Sequence, residues 1–277
     1  MSNKTGGTLS RRTVTAAGTS VAAGLLATRG LSAAAHDATL EAGQATPFGD
    51  IRPLGYVSMR MRQYETAEIR DEVNDLGIRD FLPAIVTIDG FKGYLVGDVI
   101  HDPHLTFGVT VLEDREALVR SDEVAQNFVT QDHFDEHVVI EGTRRWAGDL
   151  LMLGTPAEAT GTPAATVWDG NGVGFYVAIR VHRSLPNTDP RGFVREAIDG
   201  FTPIVLGLPG CVGYLWFPVE GGFVAISLYE TEEAANESTE AARAWAWATE
   251  HLAEYTHGNP EVINASVVYA DMPIFVS

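Results

Sequence analysis

Tyr56-Val57-Ser58-Met59-Arg60-Met61-Arg62 and Tyr176-Val177-Ala178-Ile179-Arg180-Val181-His182 are two versions of one segment, 120 residues apart. In both, aliphatic residues alternate with polar or aromatic ones at period two, as in a strand with one apolar face. The same spacing relates Phe81-Leu82-Pro83 to Phe201-Thr202-Pro203, and Gly90-Phe91-Lys92-Gly93-Tyr94-Leu95 to Gly210-Cys211-Val212-Gly213-Tyr214-Leu215. Further on, Val109-Thr110-Val111-Leu112-Glu113 matches Ile226-Ser227-Leu228-Tyr229-Glu230, and Ser121 matches Ser238, at a spacing of 117. Chance does not hold one register through separated blocks, so the pattern reads as an internal duplication. The second copy is three residues shorter between its second and third strands.

Each copy reads as strand, helix, strand, strand, helix, strand, the order of a ferredoxin-like βαββαβ unit. The first helices are expected over about 67–82 and 190–201, with Asp189-Pro190 as cap and first helical position. The second helices are expected from about Asp114 to Phe134 and from about Thr231 to Tyr255. Last strands follow near Asp149–Leu153 and Ala265–Ala270. Gly90 and Gly210 mark the turns into the second strands. The expected division is a targeting segment over 1–35, an extended lead-in over 36–53, repeat one over 54–155, a Pro/Ala/Thr/Gly-rich linker over 156–172 and repeat two over 173–277. The fold class is α+β. A sheet covered by helices on one face has a bare second face, and the twin unit is expected to cover it.

Ser10-Arg11-Arg12-Thr13-Val14, an Ala/Gly-rich apolar run to Ala27 and Ala33-Ala34-Ala35 resemble a twin-arginine (Tat) export signal. This predicts a periplasmic or extracellular protein. The chain carries a formal charge of -18, which becomes -22 if residues 1–35 leave with Lys4, Arg11, Arg12 and Arg29. So acidic a surface argues against nucleic acid and anionic lipid as partners. After the targeting segment no run approaches the ~18 apolar residues of a membrane span. Cys211 is the only cysteine, which rules out an intrachain disulfide; its apolar setting reads as a buried thiol.

The Gly90–Tyr94 and Ser121…Phe128 stretches, with Pro209–Tyr214 and Ser238…Trp245 in the second copy, resemble the antibiotic biosynthesis monooxygenase branch of the dimeric α/β-barrel superfamily. That resemblance implies two units packed sheet to sheet as a barrel, here within one chain. Members include cofactor-independent monooxygenases of aromatic quinols, haem-degrading enzymes and tandem haem proteins related to chlorite dismutase. The helix-two histidine of the haem-degrading members falls on Phe128 and Trp245, and their tryptophan on Leu118 and Ala235. Neither copy keeps the pair. No cofactor is therefore predicted, with a haem protein of the chlorite-dismutase-like type as the remaining alternative.

The alternation also nominates a site. Val57, Met59 and Met61, with Val177, Ile179 and Val181, are expected under the helices. Tyr56, Ser58, Arg60 and Arg62, with Tyr176, Ala178, Arg180 and His182, are then expected to face the barrel interior. Charges there need partners, solvent or a ligand. In one reading they line a polar pocket for a small aromatic or enolic molecule. Arg180 and Arg60 hold its anion, His182 or Tyr176 moves a proton, Arg62 and Tyr56 add contacts, and Tyr94, Tyr214 or Trp216 stacks on the ring. In the other, the arginines pair with acids such as Asp98 or Asp149 and the barrel is a scaffold or a non-catalytic binder. His133-Phe134-Asp135-Glu136-His137 reads as a solvated helix end, and no metal site is predicted. Assembly into a homo-oligomer is left open.

Overall fold

The computed structural model describes residues 52–131, 137–155, 174–249 and 252–272. The targeting segment, nearly all of the lead-in, the linker and most of the His133–His137 motif lie outside them. The first half runs β1 (Gly55–Tyr64), α1 (Ala67–Leu76), a π turn (Gly77–Phe81), α2 (Leu82–Ile85), β2 (Phe91–Val99), β3 (Leu105–Leu112), α3 (Arg115–Gln131), β4 (Val138–Leu150) and β5 (Met152–Gly154). The second runs β6 (Tyr176–Arg183), a 3-10 turn (Pro190–Phe193), α4 (Val194–Glu196), a π turn (Ala197–Phe201), α5 (Thr202–Leu206), β7 (Cys211–Val219), β8 (Gly222–Tyr229), α6 (Glu232–Ala248), α7 (Leu252–Tyr255) and β9 (Glu261–Asp271).

Local chemistry sets the helix starts. The hydroxyls of Thr66 and Thr231 accept from the amides of Ile69 and Ala234, and the Asp189 carboxylate accepts from the Arg191 amide ahead of Pro190. These caps satisfy amides that lack helical acceptors. Gly90 and Gly210 have φ of 86° and 71°, the left-handed turn expected ahead of each second strand. The β4 strand begins at Val138, well before the expected Asp149. The alternating text of 138–150 is interrupted by Gly142 and a run of charges, and this hid its strand character.

All strands join one antiparallel sheet in the order β4-β1-β3-β2-β9-β6-β8-β7-β5. Its two ends, β4 and β5, are the same chain segment broken only at Leu151. The sheet therefore curls back on itself and leaves no free edge there. Each half contributes four neighbouring strands in matching order, β4-β1-β3-β2 and β9-β6-β8-β7. Register breaks fall at matching places, Phe91/Gly93 and Cys211/Gly213. The π turns also match, ending on Phe81 and Phe201. Five residues join β2 to β3 and two join β7 to β8.

Here the structure corrects the face assignment. Val57, Met59, Met61, Val177 and Ile179 are fully buried in one cluster with Val109, Val111, Leu215, Phe217, Val224, Ile226, Ala265 and Val267 from both halves. These aliphatics fill the barrel interior, which is apolar. The alternate set lies on the outer face, under the helices: Ala178, Tyr214, Trp216 and Phe223 pack with Phe193, Phe201, Val205 and Ala235. Period two distinguishes two faces but does not say which cover each receives. The interior of a narrow closed barrel is as dry as a helix–sheet layer, and it demands side chains of more uniform size.

Candidate functional site

Arg180 projects from β6 into the layer between the sheet and α6 and is 2% exposed. Its guanidinium donates to Ser227 Oγ on β8 at 3.0 Å, and to Ser238 Oγ at 2.6 Å and Thr239 Oγ1 at 3.2 Å on α6. Its Nε has no partner. Every partner is a neutral hydroxyl, and no carboxylate forms an ion pair with Arg180 among the described residues. Burial holds its guanidinium below the ordinary arginine range, against the pull of Tyr229 and Tyr214. A buried, unpaired cation costs several kcal/mol, on the order of what the loss of an ion-pair partner costs elsewhere.

His182 lies two residues on, stacked on Phe223 with ring centroids 4.2 Å apart. Its Nδ1 is buried without a partner. Burial, and secondarily Arg180, push its pKa down to about 3. The imidazole is thus held neutral at neutral pH.

Arg180 and His182 form the inner wall of a cavity of about 350 Å³. Thr239, Ala242, Ala246, Leu252 and Thr256 line its sides, and Trp247 and Val262 stand at its rim. Trp247 is 81% exposed. A recess of about 30 Å³ adjoins it, walled by Phe193, Phe201, Tyr214, Trp216 and Trp245. This volume lies at the low end of the range for drug-sized ligands. At about 350 Å³ the cavity as it stands is smaller than a tetrapyrrole. No group of three metal-ligating side chains converges among the described residues.

The equivalent place in the first half is built differently. Arg60 is ion-paired with Asp122 of α3, which also accepts from Arg145 at 2.6 Å. Burial lowers Arg60 to about 10, against the opposing pull of Asp122. Arg60, Arg62, Tyr64, Tyr94, Asn74, Thr106 and Gly108 line an enclosed space of about 60 Å³. The expected partners were the wrong acids: Asp98 lies 3.5 Å from Arg70 and Asp149 3.8 Å from Arg191.

The structure thus brings Arg180 and His182 together at the larger cavity, with Tyr214 and Trp216 behind it in the recess. It groups Arg60, Arg62 and Tyr94 at the other. Tyr214 and Trp216 are buried walls, with Trp216 tilted on Phe223, and burial raises the Tyr214 phenol above its ordinary range. Tyr176 packs at the far end of β6 and lines neither cavity, while Tyr56 lines an open cleft with Asp114, Asp149 and Arg191. The Cys211 thiol is pushed up to about 12 by burial and is no nucleophile. Thr239 and Trp247 escaped the sequence reading. A signal for Thr239 was present: Ser121 and Ser238 match, yet the next residue is Asp122 in one copy and Thr239 in the other.

The molecule is a curled antiparallel sheet with helices on its outer face. Neither a family model nor a curated protein matches the chain. Among solved structures it is similar to a proposed monooxygenase from Fusobacterium nucleatum (TM-score 0.58, 8% identity, 79% of this chain and 95% of that one). A proposed monooxygenase from Lactobacillus acidophilus gives 0.55, 12%, 79% and 96%. An anthrone oxidase-like protein gives 0.55, 16%, 80% and 94%. At such identities the likeness speaks to the fold. No helix among the described residues is long and apolar enough to cross a membrane.

Proposed function

We propose that the chain is an exported, duplicated barrel of the monooxygenase type that acts on a small aromatic or enolic molecule without a cofactor. Its working site is the second-half cavity between the outer face of the sheet and α6. Matching strand order and matching register breaks support the duplication, with repeats over 54–155 and 173–277. The twin-arginine text of residues 1–35 supports export.

The observation that carries the functional reading is Arg180: a cation at the wall of a cavity, buried, with only hydroxyls for company. An anionic oxygen on a ligand supplies the missing charge, and the site favours an enolate or phenolate over its neutral parent. His182, being neutral, offers that oxygen a hydrogen bond without a competing charge. Trp247 and Val262 at the rim suit the ring. For an enolisable CH₂ the overall step is transfer of the carbanion's electron pair to oxygen, then loss of water to leave a carbonyl. Carbon is oxidised and oxygen reduced, so the step needs no further redox partner.

One feature of the cavity favours a second reading, a carrier that binds without turnover: the imidazole lining it, His182, is pushed down to about 3 by burial and is a weak general base. Two measurements on the purified protein separate the readings. Oxygen uptake with anthrone that disappears in Arg180→Met supports the oxygenase. Binding of 2-naphthoate that depends on Arg180, without uptake, supports the carrier. Neither binding nor uptake overturns both.

A further inference from the structure

The two halves hold the same arginine against different neighbours. Arg60 of β1 pairs in register with Gly108 and Arg145, and Arg180 of β6 with Ala225 and Val262. Each faces a helix with a fully buried serine, Ser121 or Ser238. The residue after that serine differs. In the first half it is Asp122, whose carboxylate takes Arg60 and Arg145 together. In the second it is Thr239, whose hydroxyl lies 3.2 Å from the Arg180 guanidinium. Val262 stands where Arg145 stands, and the second cation at this cavity, Arg243, is ion-paired with Glu240 on its own helix. The spaces beside the arginines differ as well, about 60 Å³ beside Arg60 and about 350 Å³ beside Arg180.

We propose that this single position decides which half takes a ligand. Asp122 is a built-in anion that occupies Arg60 and makes the first half a structural partner. Thr239 leaves Arg180 open to a carboxylate or enolate from outside, so the chain carries one anion site, in its second half. The proposal rests on reading Arg180 as the anion-holding group. Arg62 does not restore a site to the first half: it is only partly buried and its side chain hydrogen-bonds Tyr64. An aspartate at 239 would set its carboxylate within contact distance of Arg180, because the threonine hydroxyl already is. It would stand in for the ligand as Asp122 does for Arg60.

Calorimetric titration of the full-length protein with 2-naphthoate tests this through stoichiometry, which a purely structural role would not change. The wild type binds one equivalent. T239D loses more than a hundredfold in affinity with its melting temperature maintained or raised, because Arg180 gains a counter-charge. T239V, which removes one hydrogen bond and adds no charge, weakens binding by no more than about tenfold. D122N, close in shape to the aspartate, leaves a first-half space of about 60 Å³ that excludes a naphthalene ring, so it is titrated with formate: the wild type binds one equivalent of formate and D122N two. If D122N does not fold, the contrast between T239D and T239V still decides. No binding by the wild type sinks the reading of Arg180 and this proposal with it. Binding by the wild type that T239D retains, or a folded D122N that still takes one equivalent, sinks this proposal and leaves that reading standing.

Discussion

Replacing Arg180 separates what the residue does for the fold from what it does for a ligand, because the two roles have opposite signs. In the ligand-free protein the guanidinium is buried without a counter-ion, whereas a methionine of similar length would leave no charge behind. Substitution of buried ionic groups by apolar ones of similar volume is commonly stabilising by 1–4 kcal/mol. Ser238 would stay satisfied, since its hydroxyl also donates to the Ala235 carbonyl at 2.7 Å. Arg180→Met is expected to gain about 1–3 kcal/mol in urea unfolding while losing 2-naphthoate binding. Loss of both stability and binding would mark Arg180 as structural. His182 gives a pH signature. Its folded pKa is depressed from 6.5 to about 3, so the unfolded chain binds the extra proton first. The contribution is present above pH 6.5 and is lost progressively toward pH 3, at most about 5 kcal/mol. His182→Gln should therefore lose less stability than the wild type as pH falls across that window. Equal pH dependence would show that the imidazole is solvated. The sequence nominated both residues, since a charge or imidazole on a half-buried strand is conspicuous, and the structure places both at one cavity. The sequence did not reveal that they lack acidic partners, because a counter-ion comes from another element and only packing selects it.

The strands were legible and their faces were not. Alternation in β1 and β6 gives two stripes each, and the stripe of Val, Met and Ile was expected against the helices. A closed barrel inverts that expectation. Its interior admits only what eight strands can enclose, and Val57, Met59, Val177 and Ile179 meet their counterparts across it. The outer layer tolerates Arg180, Tyr214 and Trp216 because helix packing leaves room for long side chains. The closure itself was invisible in sequence, since β5 is short and joins β7 by three pairs. Gly148 marks where the ring tightens: a Cβ there would overlap the carbonyl oxygen of Pro218 on β7. Gly148→Ala should cost about 2–3 kcal/mol, read as a lower urea midpoint at unchanged slope. A neutral effect would mean that β4 and β7 do not meet as closely as the structure has them.

At the scale of the molecule, the two halves share a single interior. Val57, Met59, Val109 and Val111 of the first pack with Val177, Leu215, Ile226 and Val267 of the second in one cluster. Six residue pairs join the halves at the β2–β9 seam and three at β5–β7. Separating the halves would return that interior to water at about 1.5–3 kcal/mol per fully buried side chain. Summed over the cluster, the cost exceeds the 5–15 kcal/mol stability of an ordinary domain. Neither half is therefore expected to persist as a folded monomer, and linkage within one chain keeps the partner at high effective concentration. Residues 36–155 and 173–277, made together as two separate chains, should co-purify as a one-to-one complex that unfolds in a single transition at a midpoint dependent on concentration. Made alone, each should self-pair or aggregate. The second half, whose outer layer forms one continuous cluster where the first has three smaller ones, should be the better able to self-pair. Gel filtration with calorimetry decides the matter: a soluble monomeric half with its own cooperative melt would mean that the barrel interior is not what holds the molecule together.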